Sequence, residues 1–321
     1  MRRKKTENFD WLVKHLEIIS EFGSLVNDGN PTTDYGNYTA LKSIAVHYTA
    51  EVFSRVATHQ NQKERGFDGA VYVDLFAGTG LVKVTDTNDY IGGSPVCAIL
   101  NKFGFDYSVC VDINEKTCNY LENRLSMIVE QESFKVINGD SNKCINEVIT
   151  SIKQKFKRPI VLVFVDPQGM EIKFSTLKAL SDAFFSCDFL INVNAKGVSR
   201  VAGKIQKGID NVKQSLEDYL EEDATTFLEE ISEGKTPQGK YASQVINLLG
   251  KKMGDTIAIS DTKDNIAYYL LGYTRLTGGG SGYIEPFIKL KSRLEWADRN
   301  DVRKALDQIY KRGPGRLDKF F

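Results

Sequence analysis

The sequence predicts an α/β fold, a Rossmann-like, doubly wound and mostly parallel sheet with N-terminal helices and a helical insertion. Three observations predict it. Short apolar runs at residues 70–75, 107–111, 134–137, 160–165 and 189–193 are separated by helical stretches, the pattern of parallel strands joined by crossover helices. The first run leads into Asp74-Leu75-Phe76-Ala77-Gly78-Thr79-Gly80, a glycine-bearing turn placed where open α/β sheets bind ligands. The next three lead into Asp112, Asp140 and Asp166, so acidic residues recur at the same edge of the expected sheet.

The elements follow in order. Phe9, Leu12, Val13, Leu16, Ile19 and Phe22 recur at helical spacing and predict an amphipathic helix over 8–26, ended by Asn27-Asp28-Gly29-Asn30-Pro31. Leu41, Ile44, Ala45, Tyr48 and Val52 mark the buried face of a second helix over 39–58, and a polar linker at 60–68 closes an N-terminal helical segment, 1–68. Residues 69–202 carry the five strands of the nucleotide-binding core. Residues 203–264 read as helical, charged and locally acidic (Glu217, Asp218, Glu221, Glu222, Asp223), an insertion or cap. In the C-terminal part, 265–321, strands at 266–273 and 283–290 flank the flexible segment Gly278-Gly279-Gly280-Ser281-Gly282; a charged helix over 298–310 precedes a basic tail.

Composition narrows the function classes. The chain has 321 residues, room for one large domain with an insertion or two modest ones, and its 42 basic residues balance 42 acidic ones. A global basic field is absent, so any nucleic-acid surface must be a local patch. Five cysteines, an odd number without a CxxC pair, argue against a disulfide framework or a zinc site and for buried, reduced thiols. His15, His47 and His59 all precede the acidic motifs, so no catalytic metal is expected. The basic start Met1-Arg2-Arg3-Lys4-Lys5 has no continuous apolar stretch behind it, and the longest apolar runs are strand-length. A cytoplasmic protein without membrane association is expected.

The candidate site is built from the strand ends. Gly78 and Gly80 allow positive φ and close backbone approach to a ligand. A dinucleotide fingerprint wants a third glycine or alanine where Lys83 stands, which disfavours NAD. Asp74 can receive a ligand ammonium group or a water. Asp112 can accept both ribose hydroxyls of a nucleoside, although it lies further downstream than the roughly 20 residues of the dinucleotide motif; an excursion containing Gly92-Gly93-Ser94-Pro95 accounts for the difference. In Asn138-Gly139-Asp140-Ser141, Asp140 can bind an adenine amino group. In Asp166-Pro167-Gln168-Gly169, a carboxylate followed by rigid proline can accept a hydrogen bond from a nucleophilic amine as its proton leaves. Each aspartate has an alternative reading as a helix cap or a turn residue; their joint, ordered occurrence after strands is what points to a site.

On these residues the sequence resembles class I S-adenosylmethionine (SAM)-dependent methyltransferases, and more closely the three-Cys-motif partner (TcmP) family. The likeness lies in Asp74 to Gly80, Gly93-Ser94-Pro95, Asn138-Gly139-Asp140, Asp166-Pro167-Gln168-Gly169, and Ile191-Asn192 with Arg200 downstream; it covers 42–200. It implies a Rossmann-like methyltransferase fold, SAM as cofactor and a protein partner bearing a three-cysteine motif. Asp74, Phe76, Gly78 and Gly80 would hold the methionine part, Asp112 the ribose and Asp140 the adenine. Asp166, Pro167 and Gln168 would form the catalytic motif, and Asn192, Lys196 and Arg200 would contact the acceptor. The family usually has an aromatic residue where Gln168 stands. Glutamine cannot stack on a flipped base, though its amide can hydrogen-bond a base edge.

The expected activity is methyl transfer to a nucleic acid, with Lys196, Arg200, Lys204 and Lys207 as a local basic cluster. Two alternatives stand beside it: a SAM- or nucleotide-binding module without catalysis, engaging a partner through the acidic insertion, and a methyltransferase for small molecules or proteins.

Overall fold

The computed structural model describes residues 2–61, 66–275 and 284–311; the glycine-rich segment at 278–282 and most of the basic tail lie outside them. The chain opens with α1 (Arg2–Leu25), β1 (Thr33–Tyr35) and α2 (Thr39–Asn61). Then come β2 (Ala70–Asp74), β3 (Leu81–Val84), β4 (Asp89–Gly92), α3 (Ser94–Ile99), β5 (Tyr107–Asp112), α4 (Glu115–Ser126), β6 (Phe134–Asn138), α5 (Ser141–Lys155), β7 (Ile160–Val165), α6 (Phe174–Ala183) and β8 (Ser186–Val193). Four helices follow, α7 (Ala195–Gln206), α8 (Lys213–Leu220), α9 (Ala224–Ser232) and α10 (Pro237–Leu249), then β9 (Lys251–Thr262), β10 (Asn265–Arg275), α11 (Ile284–Leu294) and α12 (Arg299–Ile309).

Seven strands form the main sheet in the order β6-β5-β2-β7-β8-β10-β9. The first five are parallel, and β10 runs antiparallel to both β8 and β9. The fold is thus the expected Rossmann-like, mostly parallel architecture. From β2 the chain steps outward to β5 and β6, then returns to the other side of β2 for β7 and β8. The reversal falls between β2 and β7, and a crevice opens there at the carboxyl ends of the strands.

The strands are apolar because both faces are covered. In β7, Ile160, Leu162 and Phe164 pack into the core that also holds α1, α2 and α12, while Val161, Val163 and Val165 pack against α5 and α6 on the other side. In β2, Ala70 and Tyr72 belong to the first core and Val71 and Val73 to the second. Period-two alternation between two apolar layers reads in sequence as an unbroken apolar run.

Two expectations are corrected. The segment 203–264 is helical only to Leu249; residues 251–262 form the edge strand β9. Ile257 and Ile259 turn one face of β9 inward, whereas Gly254 and Asp255 interrupt the apolar pattern, which an edge position tolerates. The expected strand at 283–290 is instead the helix α11. Its buried residues Phe287, Leu290 and Leu294 are three and four positions apart, one helical face laid against β9 and α2. The small sheet β1-β3-β4 was not expected. Its β3–β4 hairpin is the excursion between Asp74 and Asp112, and it closes where the Gly93 N–H donates to the Gly80 carbonyl at 2.8 Å. A Cβ on Gly93 would lie 2.9 Å from the Gly80 carbonyl carbon, so glycine is required at this contact. No helix among the described residues is long and apolar enough to cross a membrane.

Candidate functional site

Asp74, Asp112, Asp140, Asp166 and Asn192 all stand at the carboxyl edge of the sheet, on or just after β2, β5, β6, β7 and β8. The loop after β2 is tied to its neighbours by backbone bonds: Leu75 N–H to the Phe164 carbonyl at 3.1 Å and Ala77 N–H to the Val111 carbonyl at 2.9 Å. Gly78 and Gly80 both adopt positive φ, 61° and 73°. A Cβ on Gly78 would meet nothing nearer than the Thr33 hydroxyl at 3.6 Å, so the glycine leaves open a backbone cradle that a side chain would fill. Thr33, Tyr35, Phe76, Gly78, Gly80 and Ser94 line a narrow cleft of about 60 Å³ beside this loop. That space suits one end of a ligand, and Asp112, Ile113 and Asp140 lie on the more open surface nearby.

Asp112 is half-buried and accepts from the Gly78 N–H at 3.0 Å and the Asn114 N–H at 2.9 Å. A carboxylate has about four acceptor positions, so two remain. Ile113 beside it is 76 % exposed, the most exposed large hydrophobic residue described. Asp140 is the N-cap of α5, accepting from the Asn142 N–H at 2.9 Å and the Asn142 amide at 3.1 Å. Its capping and ligand-binding readings are compatible, since its second oxygen is not used in the cap.

Asp74 behaves differently from a surface ligand. It is fully buried, and its carboxylate accepts from the Tyr72 hydroxyl at 3.0 Å and the Phe76 N–H at 3.1 Å, with Ser94 as a further side-chain partner. Phe76 and Ser94, which do line the cleft, stand on it. Burial pushes the Asp74 carboxyl up to about 7, against the opposing hydrogen bonds from Ser94, Phe76 and Tyr72. A raised carboxyl value means that the folded chain binds more protons than the unfolded chain between about pH 4 and 7. Stability therefore falls as pH rises through that window. We expect thermal melts between pH 5 and 8 to show wild type losing stability relative to Asp74→Asn as pH rises; a difference that stays flat with pH would contradict this.

Asp166 is the centre of the site. Lys42 of α2 donates to its Oδ2 at 2.5 Å and Asn192 of β8 to its Oδ1 at 2.6 Å. The Lys42 ammonium also lies 5.4 Å from the ring centre of Tyr35 and 5.6 Å from that of Tyr268. Burial draws the Lys42 ammonium downward, and the charge and hydrogen bond of Asp166 more than offset it, so its value ends above the ordinary lysine range. Pro167 is buried. Gln168 is exposed, and its carbonyl accepts from the Asn194 amide at 2.9 Å.

A second cavity of about 310 Å³ opens on the far side of Asp166, walled by Tyr38, Gln168, Asn192, Asn265 and Tyr268. Tyr35, Thr39, Lys42 and Asp166 belong to both cavities and form the wall between them. Asn192 and Tyr268 are both more than nine-tenths buried, and the Asn192 Oδ1 and Tyr268 hydroxyl have no hydrogen-bond partner. Lys196 and Arg200 lie further out, exposed on α7, where the Lys196 ammonium contacts the Asn265 amide oxygen.

Lys42, Tyr35, Tyr268, Ile113 and Arg124 were not singled out from the sequence. Lys42 left a signal there: it is the only Lys, Arg, Asp or Glu between Asp34 and Glu51, inside a helix otherwise buried nearly all round. Arg124 of α4, with no exposed surface, fixes the glycine loop after β2 from below. It donates to the Thr79 carbonyl at 2.8 Å, to Asp28 at 2.8 Å and 3.2 Å, and to the carbonyls of Asn30 and Pro31 at 3.0 and 3.1 Å.

No protein-family model matches the chain, and no curated protein matches it. Among solved structures it is similar to protein LPL1258 from Legionella pneumophila, at 12% identity and a TM-score of 0.41, with 79% of this chain and 94% of that one covered. It is also similar to an O-methyltransferase from Bacillus cereus in complex with SAH (10%, 0.38, covering 70% and 80%) and to the O-methyltransferase TomG from Streptomyces achromogenes in complex with SAM (11%, 0.37, covering 71% and 79%).

Proposed function

We propose that this chain is a SAM-dependent methyltransferase whose acceptor is a nucleic acid. One observation carries the reading: the Asp166 carboxylate, fixed by Lys42 and Asn192, stands in the wall shared by the glycine-loop cleft and the polar cavity beyond it. A transfer between two bound molecules needs this arrangement, one compartment for each and an oriented acceptor between them.

The residues divide accordingly. The backbone at Phe76, Gly78 and Gly80 holds the methionine end, with Asp74 buried beneath as the anchor of Phe76 and Ser94. Asp112 accepts the ribose hydroxyls, the exposed Ile113 offers an apolar face to the adenine, and Asp140 accepts its amino group. When bound, SAM supplies a methyl group on a sulfonium. On the acceptor side, Asp166 accepts a hydrogen bond from the acceptor N–H and orients its lone pair. The unpartnered Asn192 Oδ1 supplies a second acceptor at the same wall. Gln168 at the cavity mouth offers an amide to a base edge. The likeness to the three-Cys-motif partner family extends the proposal to a protein partner bearing that motif.

Isothermal titration with SAM, followed by transfer of tritiated methyl groups to total RNA, DNA and protein, tests the reading. We expect SAM to bind and label to enter a nucleic-acid pool. Absence of SAM binding would overturn the cofactor assignment. Binding with label only in protein would overturn the acceptor assignment, and binding with no transfer to any pool would favour a non-catalytic binding module.

A further inference from the structure

We propose that the outer face of α7 and the groove beside it form a track for a single-stranded polynucleotide, which delivers one unpaired nucleotide to the Asp166 cavity; this deepens, and rests on, the methyl-transfer reading of that cavity.

Charge is the first ground. Lys196, Arg200 and Lys204 are each four residues apart on α7, and Lys207 caps its end, so the four cations share one helix face over roughly 16 Å. All four are exposed, and α7 contains no acidic residue. The opposite face is apolar: Val198 and Ala202 are buried, with Val201 and Ile205 packed against the same core. Some exposed lysines elsewhere are ion-paired, Lys173 with Asp218, Lys178 with Asp182 and Lys235 with Glu230. Among the described residues, none of the four cations along α7 is ion-paired. In a chain whose charges sum to zero, an unneutralised row of this kind is suited to a row of phosphates.

Continuity is the second ground. Lys196, Arg200, Thr236, Tyr268 and Tyr269 line a groove of about 740 Å³. Asn194, Ala267 and Tyr268 line both this groove and the Asp166 cavity, so the two form one trough. Tyr269, half-buried, lines the groove together with Lys196 and Arg200 and gives a flanking base a surface to stack on. The Asp166 side chain is only 15% exposed. A base stacked and paired in a duplex cannot reach a group recessed this far, whereas an unpaired base can. The 310 Å³ of the inner cavity is at the small end of ligand pockets, sized for one planar group.

The test measures fluorescence anisotropy with the full chain and fluorescein-labelled mixed-sequence 20-mers, as single-stranded RNA, single-stranded DNA and duplex, across a potassium chloride series. Phosphatidylserine vesicles and polyglutamate compete in parallel arms. The variants are Arg200→Glu combined with Lys204→Glu, the neutral pair Arg200→Gln with Lys204→Gln, and Lys135→Glu on the far edge strand β6. We expect a single strand to bind more tightly than the duplex, with neither competitor displacing it. The neutral pair should make the plot of log affinity against log salt shallower by roughly 0.7 per cation removed. Charge reversal should weaken binding about tenfold or more, Lys135→Glu should leave it at the wild-type value, and SAM affinity and melting temperature should hold throughout. Equal binding by wild type and the α7 variants overturns the proposal; so does preference for duplex, vesicles or polyglutamate, or absence of binding to every oligonucleotide. A wild-type chain that binds SAM but no strand sinks the track alone, whereas one that fails to bind SAM sinks the underlying reading.

Discussion

Arg124→Ala is expected to lower stability by about 3–5 kcal/mol, the cost of breaking a buried ion pair from one side. Arg124 is fully buried and Asp28 retains 15% side-chain exposure, so the carboxylate left behind keeps only slight access to water. The carbonyls of Thr79, Asn30 and Pro31 lose their guanidinium donor at the same time, and each unsatisfied buried acceptor adds about 1–3 kcal/mol where water cannot enter. At roughly 2–4 °C per kcal/mol for a large domain, the melting temperature should drop on the order of 10 °C. Arg124→Met separates volume from hydrogen bonding. It keeps most of the packing and loses the same donors, so it should fall nearly as far. The double variant Arg124→Met/Asp28→Asn should recover part of the loss, because no unpaired charge remains. Arg124 joins the α1–β1 connection to Thr79 between the two loop glycines, so SAM affinity should also weaken at temperatures where the variant is folded. Melting by differential scanning calorimetry and titration in the cold read the two effects. A variant that melts within 2 °C of wild type would show that these bonds do not hold the loop.

The contrast between Arg124 and the acidic strand ends shows what a sequence reveals. The strands were legible because a β-strand packed on both faces, such as β7, is an uninterrupted apolar run, and the aspartates were legible because they terminate those runs. The helix α11 was not. Its residues offer apolar positions compatible with either period over so short a stretch, and only the packing of Phe287 and Leu290 onto β9 selects the helical one. The edge strand β9 was hidden by Gly254 and Asp255, and the latter pairs with Lys291 at 2.8 Å across an element that sequence order alone does not bring near. In the site, the loop glycines and Asp166 could be read from local spacing. The partners of Asp166 could not, because Lys42 and Asn192 come from opposite ends of the core and meet only through the sheet order. Arg124 is the extreme case. On a helix surface an arginine reads as solvated, and nothing local says that two loops close over it.

Asp166→Ala is expected to abolish methyl transfer while leaving SAM affinity near wild type, and the structure makes the expectation more specific. General acid–base and orienting contributions of one carboxylate amount to roughly 10²–10⁴ in rate, so single-turnover transfer at saturating SAM should fall at least a hundredfold. Alanine also strips Lys42 of the carboxylate that offsets its burial, so some loss of stability accompanies it. Asp166→Asn controls for this. It preserves shape and one acceptor oxygen but brings an amide N–H against donors already present on Lys42 and Asn192. Transfer should therefore remain low in the asparagine variant even where its melting temperature approaches wild type. Lys42→Met tests the positioning side of the same pair. With its charge partner gone, Asp166 keeps only the Asn192 hydrogen bond, and the rate should fall less than in either Asp166 variant. The split between rate and affinity decides the role. Asp166 lines both cavities, so a loss of SAM affinity that tracks the loss of rate would place it with the cofactor cleft. A rate within threefold of wild type in Asp166→Asn would remove it from the chemistry. A collapse in rate at unchanged SAM affinity is the result that a carboxylate orienting the acceptor requires.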